Sequence, residues 1–342
     1  MRKVSFSPLI AVLFYLFAAT EQGAAQGRAS EAPQRVQQIH MVVWRGCEEA
    51  CRGFVRYFED RALPVNVTVT DVERDKSRLP EVQQQLIAED PDLVITWGTS
   101  VSRGILGTIE DHQTASALGD IPAIFMIVAD PVGSKLVDSY KASGRPFITG
   151  VRNRVPEDVQ LRLLFEYFRP EKMGVVNDPS ELNSTLNTNS LRAISDELSF
   201  ELVEHVYELD DAGEISVDQI PSALAHLKER GAEAIYVGSS SFNLENREAF
   251  VEAANSLSLP VFSAYTQMVK DAGALMAIGT SYANVGRLAA VQAEQVVLNG
   301  AIPGELPIKS LNRYSVILNM STARALSLYP PLSLLTVAEI VR

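Results

Sequence analysis

The residues best placed to do chemistry lie in short loops that each follow an apolar run. In Trp97-Gly98-Thr99-Ser100-Val101-Ser102, a glycine, the Thr99 and Ser100 hydroxyls and free backbone amides open a helical pattern. Such a start suits a carboxylate, while ordinary helix capping is the competing use of the same hydroxyls. Asp130, in Ala129-Asp130-Pro131-Val132, can accept from a ligand ammonium or close the turn that Pro131 enforces. Asn177-Asp178-Pro179-Ser180-Glu181-Leu182-Asn183-Ser184 is dense in short polar side chains, with Asn177, Glu181, Asn183 and Ser184 as the candidates for ligand contact. Ser239 and Ser240, Tyr265, and Tyr282 end three further runs, and Trp44 with Arg45 ends the first. Together these loops offer hydroxyls, aromatic faces and one guanidinium, the set expected of a site that desolvates a small amphiphile without making or breaking bonds.

Catalytic chemistry has little support. No glycine-rich phosphate loop, Gly-x-Ser-x-Gly or helical His pair is present. His40, His112, His205 and His226 fall inside strand or helix patterns, away from those loops. The expectation is a binding protein and not an enzyme, with no cofactor and no metal.

The elements that must carry these loops alternate short apolar runs with longer helical patterns, as βαβ units do. Strands are expected at 39–44, 65–70, 93–97, 123–128 and 147–151, with helices near 48–61, 79–89 and 100–108. The plan then restarts: a helix at 156–168, strands at 173–176, 200–206, 234–237, 261–264 and 274–278, and helices at 185–198, 220–230 and 244–257. A helix at 285–299, a Gly/Pro-rich crossing at 300–307, a strand at 314–318 and two terminal helices return to the halves already built. The fold class expected is α/β, two doubly wound Rossmann-like lobes joined by a hinge of several crossings. The first lobe takes 37–150 plus 281–306, the second 151–280 plus 307–332, and 333–342 forms a C-terminal helix. In open parallel sheets ligands bind beyond the carboxyl ends of strands, where every one of the polar loops falls.

Arg2 and Lys3 precede an apolar run too short for a membrane span and followed by small residues, so 1–25 is expected to be a cleaved secretory signal peptide and the protein periplasmic. The net charge is −12, and removing Arg2, Lys3 and Glu21, together +1, leaves −13. That balance argues against a nucleic-acid partner. The two cysteines, Cys47 and Cys51, sit in an oxidising space after export, which favours a disulfide, but four-residue spacing on a regular helix strains one. Both readings stay open. Zinc would need further ligands close by.

Several of these segments resemble the ABC transporter substrate-binding family with the type I periplasmic-binding-protein fold, whose relatives include receptors for aromatic amino acids. The resemblance is carried by Trp97-Gly98-Thr99-Ser100, by 124–132 ending in Asp130-Pro131-Val132, by Ile148-Thr149-Gly150-Val151, by Asn177 with Glu181-Leu182-Asn183-Ser184, and by Gly286-Arg287-Leu288-Ala289-Ala290. It implies that Thr99, Ser100, Asp130, Asn183 and Ser184 face the cleft. It further implies a monomer that takes a small, amino-acid-like solute to an inner-membrane ABC permease. A sensing subunit of the same fold is the alternative. The sequence departs from the family pattern at Trp44-Arg45-Gly46-Cys47-Glu48-Glu49-Ala50-Cys51, where Arg45 is either a second anion-binding element or a surface charge.

Overall fold

A computed structural model describes residues 35–113 and 115–342; the expected signal peptide lies outside the described residues. Two separate sheets form. The first has strand order β2-β1-β3-β4-β5, all parallel, from β1 (Gln37–Val43), β2 (Val65–Asp71), β3 (Leu93–Trp97), β4 (Ala123–Val128) and β5 (Ile148–Arg152). Its central strands β3 and β4 are buried residue by residue, as parallel strands covered on both faces must be. Helices α1 (Glu49–Asp60), α2 (Leu79–Glu89), α3 (Thr99–Leu106) and the short α4 (Ile109–His112) belong to this half.

The second sheet, of order β12-β11-β10-β9-β8-β6-β7, contains β6 (Lys172–Asn177), β7 (Glu201–Val206), β8 (Ala234–Val237), β9 (Val261–Ser263), β10 (Met276–Gly279), β11 (Ser315–Asn319) and β12 (Glu339–Val341). It is parallel except where β11 meets β10. The helices between are α5 (Glu157–Phe165), α6 (Leu182–Leu198), α7 (Gln219–Glu229), α8 (Ser241–Glu245), α9 (Arg247–Ser256) and α10 (Thr266–Lys270). After β10 come α11 (Tyr282–Val297), α12 (Met320–Ala325) and α13 (Leu332–Leu335). The α/β class and both parallel arrays are those expected.

The chain leaves the first sheet after β5, returns to it with α11, and crosses once more ahead of β11. Helix α11 packs its Val285, Ala289, Ala290 and Ala293 into the first sheet's core. It lies against α1 closely enough that a Cβ on Gly286 would meet the Ala50 carbonyl oxygen at 1.9 Å, and one on Gly53 the Ala283 carbonyl oxygen at 2.2 Å. The crossings are tied together: Val151 bridges Lys309, and Thr280 Oγ1 donates to the Asn153 carbonyl at 2.6 Å.

The ends of some elements differ from expectation. Residues 333–342 do not form a helix: α13 stops at Leu335, and Glu339–Val341 runs parallel to β11 as the sheet's edge. Valine and isoleucine at 337–341 fit a pleated surface better than a helix, and β11 presents an edge with unpaired backbone. The single helix expected at 244–257 divides at Asn246 into α8 and α9. Ile308 still packs in the first core, so the last crossing lies beyond 307.

Candidate functional site

The carboxyl ends of the two sheets line one cleft. The first sheet contributes Trp44 and Arg45 after β1, Trp97 through Val101 at the β3–α3 junction, Ile127 and Ala129 at the end of β4, and Asn153 and Arg154 after β5. From the second come Glu181 and Asn183 at the start of α6, Ser239 and Ser241 after β8, and Tyr265 after β9; Tyr282 heads α11. The cavity volume is about 50 Å³, several times the ~10–15 Å³ that one water needs.

At the β3–α3 junction Gly98 has φ +90°, and a Cβ there would meet no atom within 4 Å, so it is the backbone conformation that calls for glycine. Gly98 is also the N-cap of α3, and among the described residues no side chain caps that helix. The hydroxyls of Thr99 and Ser100 are therefore not spent on capping, and both residues line the cleft. Ser102 stiffens the turn through its bonds to Thr96 at 2.8 Å and to the Gly98 carbonyl at 2.7 Å. On β4, Ile127 takes φ +57° at a register break between Met126 and Val128. A β-branched side chain rarely adopts that conformation, and the bulge turns Ile127 toward the cleft.

On the facing wall, Glu181 is 8 % exposed and accepts from the Ser241 amide at 3.0 Å and Asn183 Nδ2 at 3.2 Å. The phenol of Tyr265 accepts from the Ser240 amide at 3.2 Å, and burial raises its pKa. Arg45 lies over the Trp97 ring, 5.3 Å from its centroid, with Nε on Glu48 at 3.0 Å. It also reaches across: Arg45 Nη1 lies 3.4 Å and Arg74 Nη1 2.6 Å from the two carboxylate oxygens of Glu245, at the end of α8. Lys76 Nζ donates to the Ser180 carbonyl at 2.8 Å. The cationic side chains follow strands of the first sheet and their acceptors belong to the second, so these pairs clasp the mouth of the cleft. Burial pushes the Glu245 carboxyl above the usual range although Arg45 and Arg74 oppose the shift.

Not every candidate faces the cavity. Asp130 accepts from the Gly133 amide at 2.8 Å and the Tyr140 hydroxyl at 3.1 Å, and lines a side niche that shares Thr99, Ala129 and Asn183 with the main cleft. The Ser184 hydroxyl accepts from the Asp178 amide at 2.9 Å. Ser240 caps α8 by accepting from the Asn243 amide at 3.0 Å, and Asn177 ends β6. These residues shape the loops and lie outside the cavity wall.

Asn153 and Arg154 lie in the cleft but are absent from the sequence candidates. The residues after each strand were the signal, and β5 was expected to stop at 151; it runs to Arg152, which puts Asn153 and Arg154 at a strand end like the rest. Ser241, the next residue of the run that supplies the candidates Ser239 and Ser240, also lines the cleft. Three buried polar atoms of the lining lack a hydrogen-bond partner among the described residues: Trp97 Nε1, Asn153 Oδ1 and Arg154 Nη1. Cys47 and Cys51 are joined in a disulfide with Cα atoms 5.1 Å apart. The spacing argument against the bridge fails because Cys47 precedes the helix, which begins only at Glu49.

Two mostly parallel sheets joined by several crossings, with a polar cleft between their carboxyl ends, have the architecture of the type I periplasmic-binding-protein fold. Residues 53–341 match the ABC transporter substrate binding protein family, and the chain belongs to it. The tyrosine-binding protein of Clostridioides difficile (strain R20291) is 23% identical over 286 residues, covering 82% of this chain and 77% of that protein. Among solved structures, the ABC domain in complex with L-Trp from Streptococcus pneumoniae superposes with a TM-score of 0.76 at 21% identity, over 90% of this chain and 99% of that one. A conserved domain protein of Vibrio cholerae gives 0.76 at 20% identity, over 90% and 100%. The ligand-free, open form of a substrate binding protein with adhesive properties from Clostridium difficile gives 0.67 at 20%, over 90% and 99%. The protein is a solute-binding receptor of an ABC transport system, an extracytoplasmic class whose members serve a membrane permease. Among the described residues no helix is long and apolar enough to cross a membrane.

Proposed function

We propose that this receptor works as a monomer in the periplasm after loss of residues 1–25, and that it captures an amino-acid-like solute with a carboxylate and an aromatic or other amphipathic body. Residues 37–150 with 281–306, and 151–280 with the segment after the last crossing, act as lobes that close on the solute. The carrying observation is the lining itself: Trp44, Trp97, Tyr265 and Tyr282 supply ring faces, while the starts of α3 and α6 supply amides and hydroxyls from opposite sheets. A solute that touches both walls biases closure, whereas one that touches a single wall biases nothing. The relatives that bind tyrosine or contain L-Trp support the same substrate class. Their family supports delivery to an inner-membrane permease.

Native mass spectrometry of protein taken from its own periplasm identifies the bound solute, and a thermal-shift panel ranks candidates. A ligand specific to the native state adds roughly 2.7 kcal/mol at a hundredfold excess over its dissociation constant. Aromatic amino acids should raise Tm; a panel in which only sugars respond overturns the substrate class and leaves the receptor intact.

A further inference from the structure

Buried arginines normally have their donors met, because a guanidinium taken out of water loses strong hydration. Arg145, 1 % exposed, shows the rule: Nε, Nη1 and Nη2 donate to the carbonyls of Leu106, Gly107, Ala115 and Leu136, and the side chain simply braces the loops around it. Arg154 breaks it. Its side chain is 4 % exposed, Nη2 donates to the Ser239 hydroxyl, and Nη1 has no hydrogen-bond partner among the described residues. Its ion-pair partner is Glu157, 4.0 Å away through an oxygen that already accepts from Asn187 Nδ2 at 2.8 Å, and the Tyr236 phenol also lies beside it. Arg45, the other guanidinium of the lining, is shared between Glu48 and Glu245. The cleft thus holds one buried cation whose donor capacity is left over, and Arg154 lies beneath the Tyr265 ring, 5.9 Å from its centroid.

We propose that Arg154 is the anion anchor of the cleft: its guanidinium binds the carboxylate of the solute and makes the receptor select for solutes that carry one. This rests on the solute-receptor reading above. Asn153 Oδ1, the neighbouring acceptor without a donor, then faces a hydrogen-bond donor on the same solute. Arginine suits this task because its planar fork matches a carboxylate and keeps its charge at any physiological pH.

The test is calorimetric titration of wild-type protein, Arg154→Met and Arg154→Gln with L-tyrosine, phenylpyruvate, L-tyrosinamide, tyramine and inorganic phosphate, beside the Tm of each ligand-free protein. Wild type should prefer the two carboxylates over the amide and the amine. Both variants should lose that preference through a drop of about tenfold to over a hundredfold in carboxylate affinity. Their ligand-free Tm should equal or exceed that of wild type, since a buried cation with an unmet donor is removed, a gain that a bracing arginine such as Arg145 would not give. Variants that keep wild-type carboxylate affinity, or that fail to fold or melt lower in both cases, overturn the anchor while the receptor stands. Tighter binding of phosphate than of any carboxylate overturns the assignment of the anion. A co-purified solute without a negative group overturns the anchor alone; no small molecule bound under any condition overturns the receptor reading and the anchor with it.

Discussion

Asp178 is a carboxylate 1 % exposed, met by the Ser180 amide and hydroxyl and, at 3.4 Å, by the Ser240 hydroxyl. Burial raises its pKa above the ordinary carboxylate value, with Glu181 adding repulsion. Between about 3.9 and that raised value the native state holds more protons than the unfolded chain, so this group adds stability as pH falls through the window and withdraws it as pH rises. Asp178→Asn keeps the acceptor and removes the charge. It should melt a few degrees above wild type at neutral pH, with the margin shrinking toward about pH 4; a margin that is flat or grows on acidification sinks the argument. Thr99→Ala with Ser100→Ala tests the opposite wall. These hydroxyls cap nothing, so folding should barely change, while affinity for the co-purified solute should drop about tenfold to over a hundredfold. Normal affinity would make the β3–α3 junction mere scaffolding.

At the scale of elements, the crossing of α1 over α11 fixes where Tyr282 enters the cleft. Gly286→Ala gains up to about 1 kcal/mol of helix propensity. It also drives a methyl into the Ala50 carbonyl, an overpacking that typically costs about 1–3 kcal/mol. The net expectation is a lower denaturation midpoint and weaker solute binding, both measurable in one urea series; a stabilised variant would show that the helices part freely. The alternation of runs made both sheets legible in the sequence, because β4 is wholly apolar, β3 is apolar but for Thr96, and both are short and flanked by turn residues. What stayed hidden depended on neighbours far along the chain. The β12 strand exists because β11 offers it an edge. Two other misses were local: Asn153 and Arg154 were hidden by one residue of strand length, and the disulfide stayed open although the expected helix, like α1, starts after Cys47.

For the whole molecule, the clasp of Arg45 and Arg74 on Glu245 spans the two sheets, and its strength sets how far the ligand-free protein stays shut. A partly exposed ion pair contributes up to about 1 kcal/mol. Glu245→Ala should therefore shift the ligand-free population toward open forms by about fivefold, seen as a larger radius of gyration in small-angle scattering. Raising salt should do the same to wild type and little to the variant, since exposed charges are screened. Identical scattering profiles for both proteins at all salt concentrations would mean that the clasp is idle. The cleft was legible as a set of strand-end loops, but the clasp was not: Arg74 and Glu245 lie 171 positions apart by their numbers, and nothing local marks them as a pair.

The disulfide closes only the turn from Cys47 to Cys51, a loop whose entropic contribution is about 2 kcal/mol, at the low end for such bonds. Its place matters more than its size, because it knots the chain two residues beyond Arg45, which both stacks on Trp97 and enters the clasp. Thiols do not pair in a reducing cytosol. A newly made chain would therefore carry a slack first junction until it has crossed the membrane, and the receptor would be armed by its own export. Inside the cell that delay would spare the free pool of solute from a trap built to collect it elsewhere.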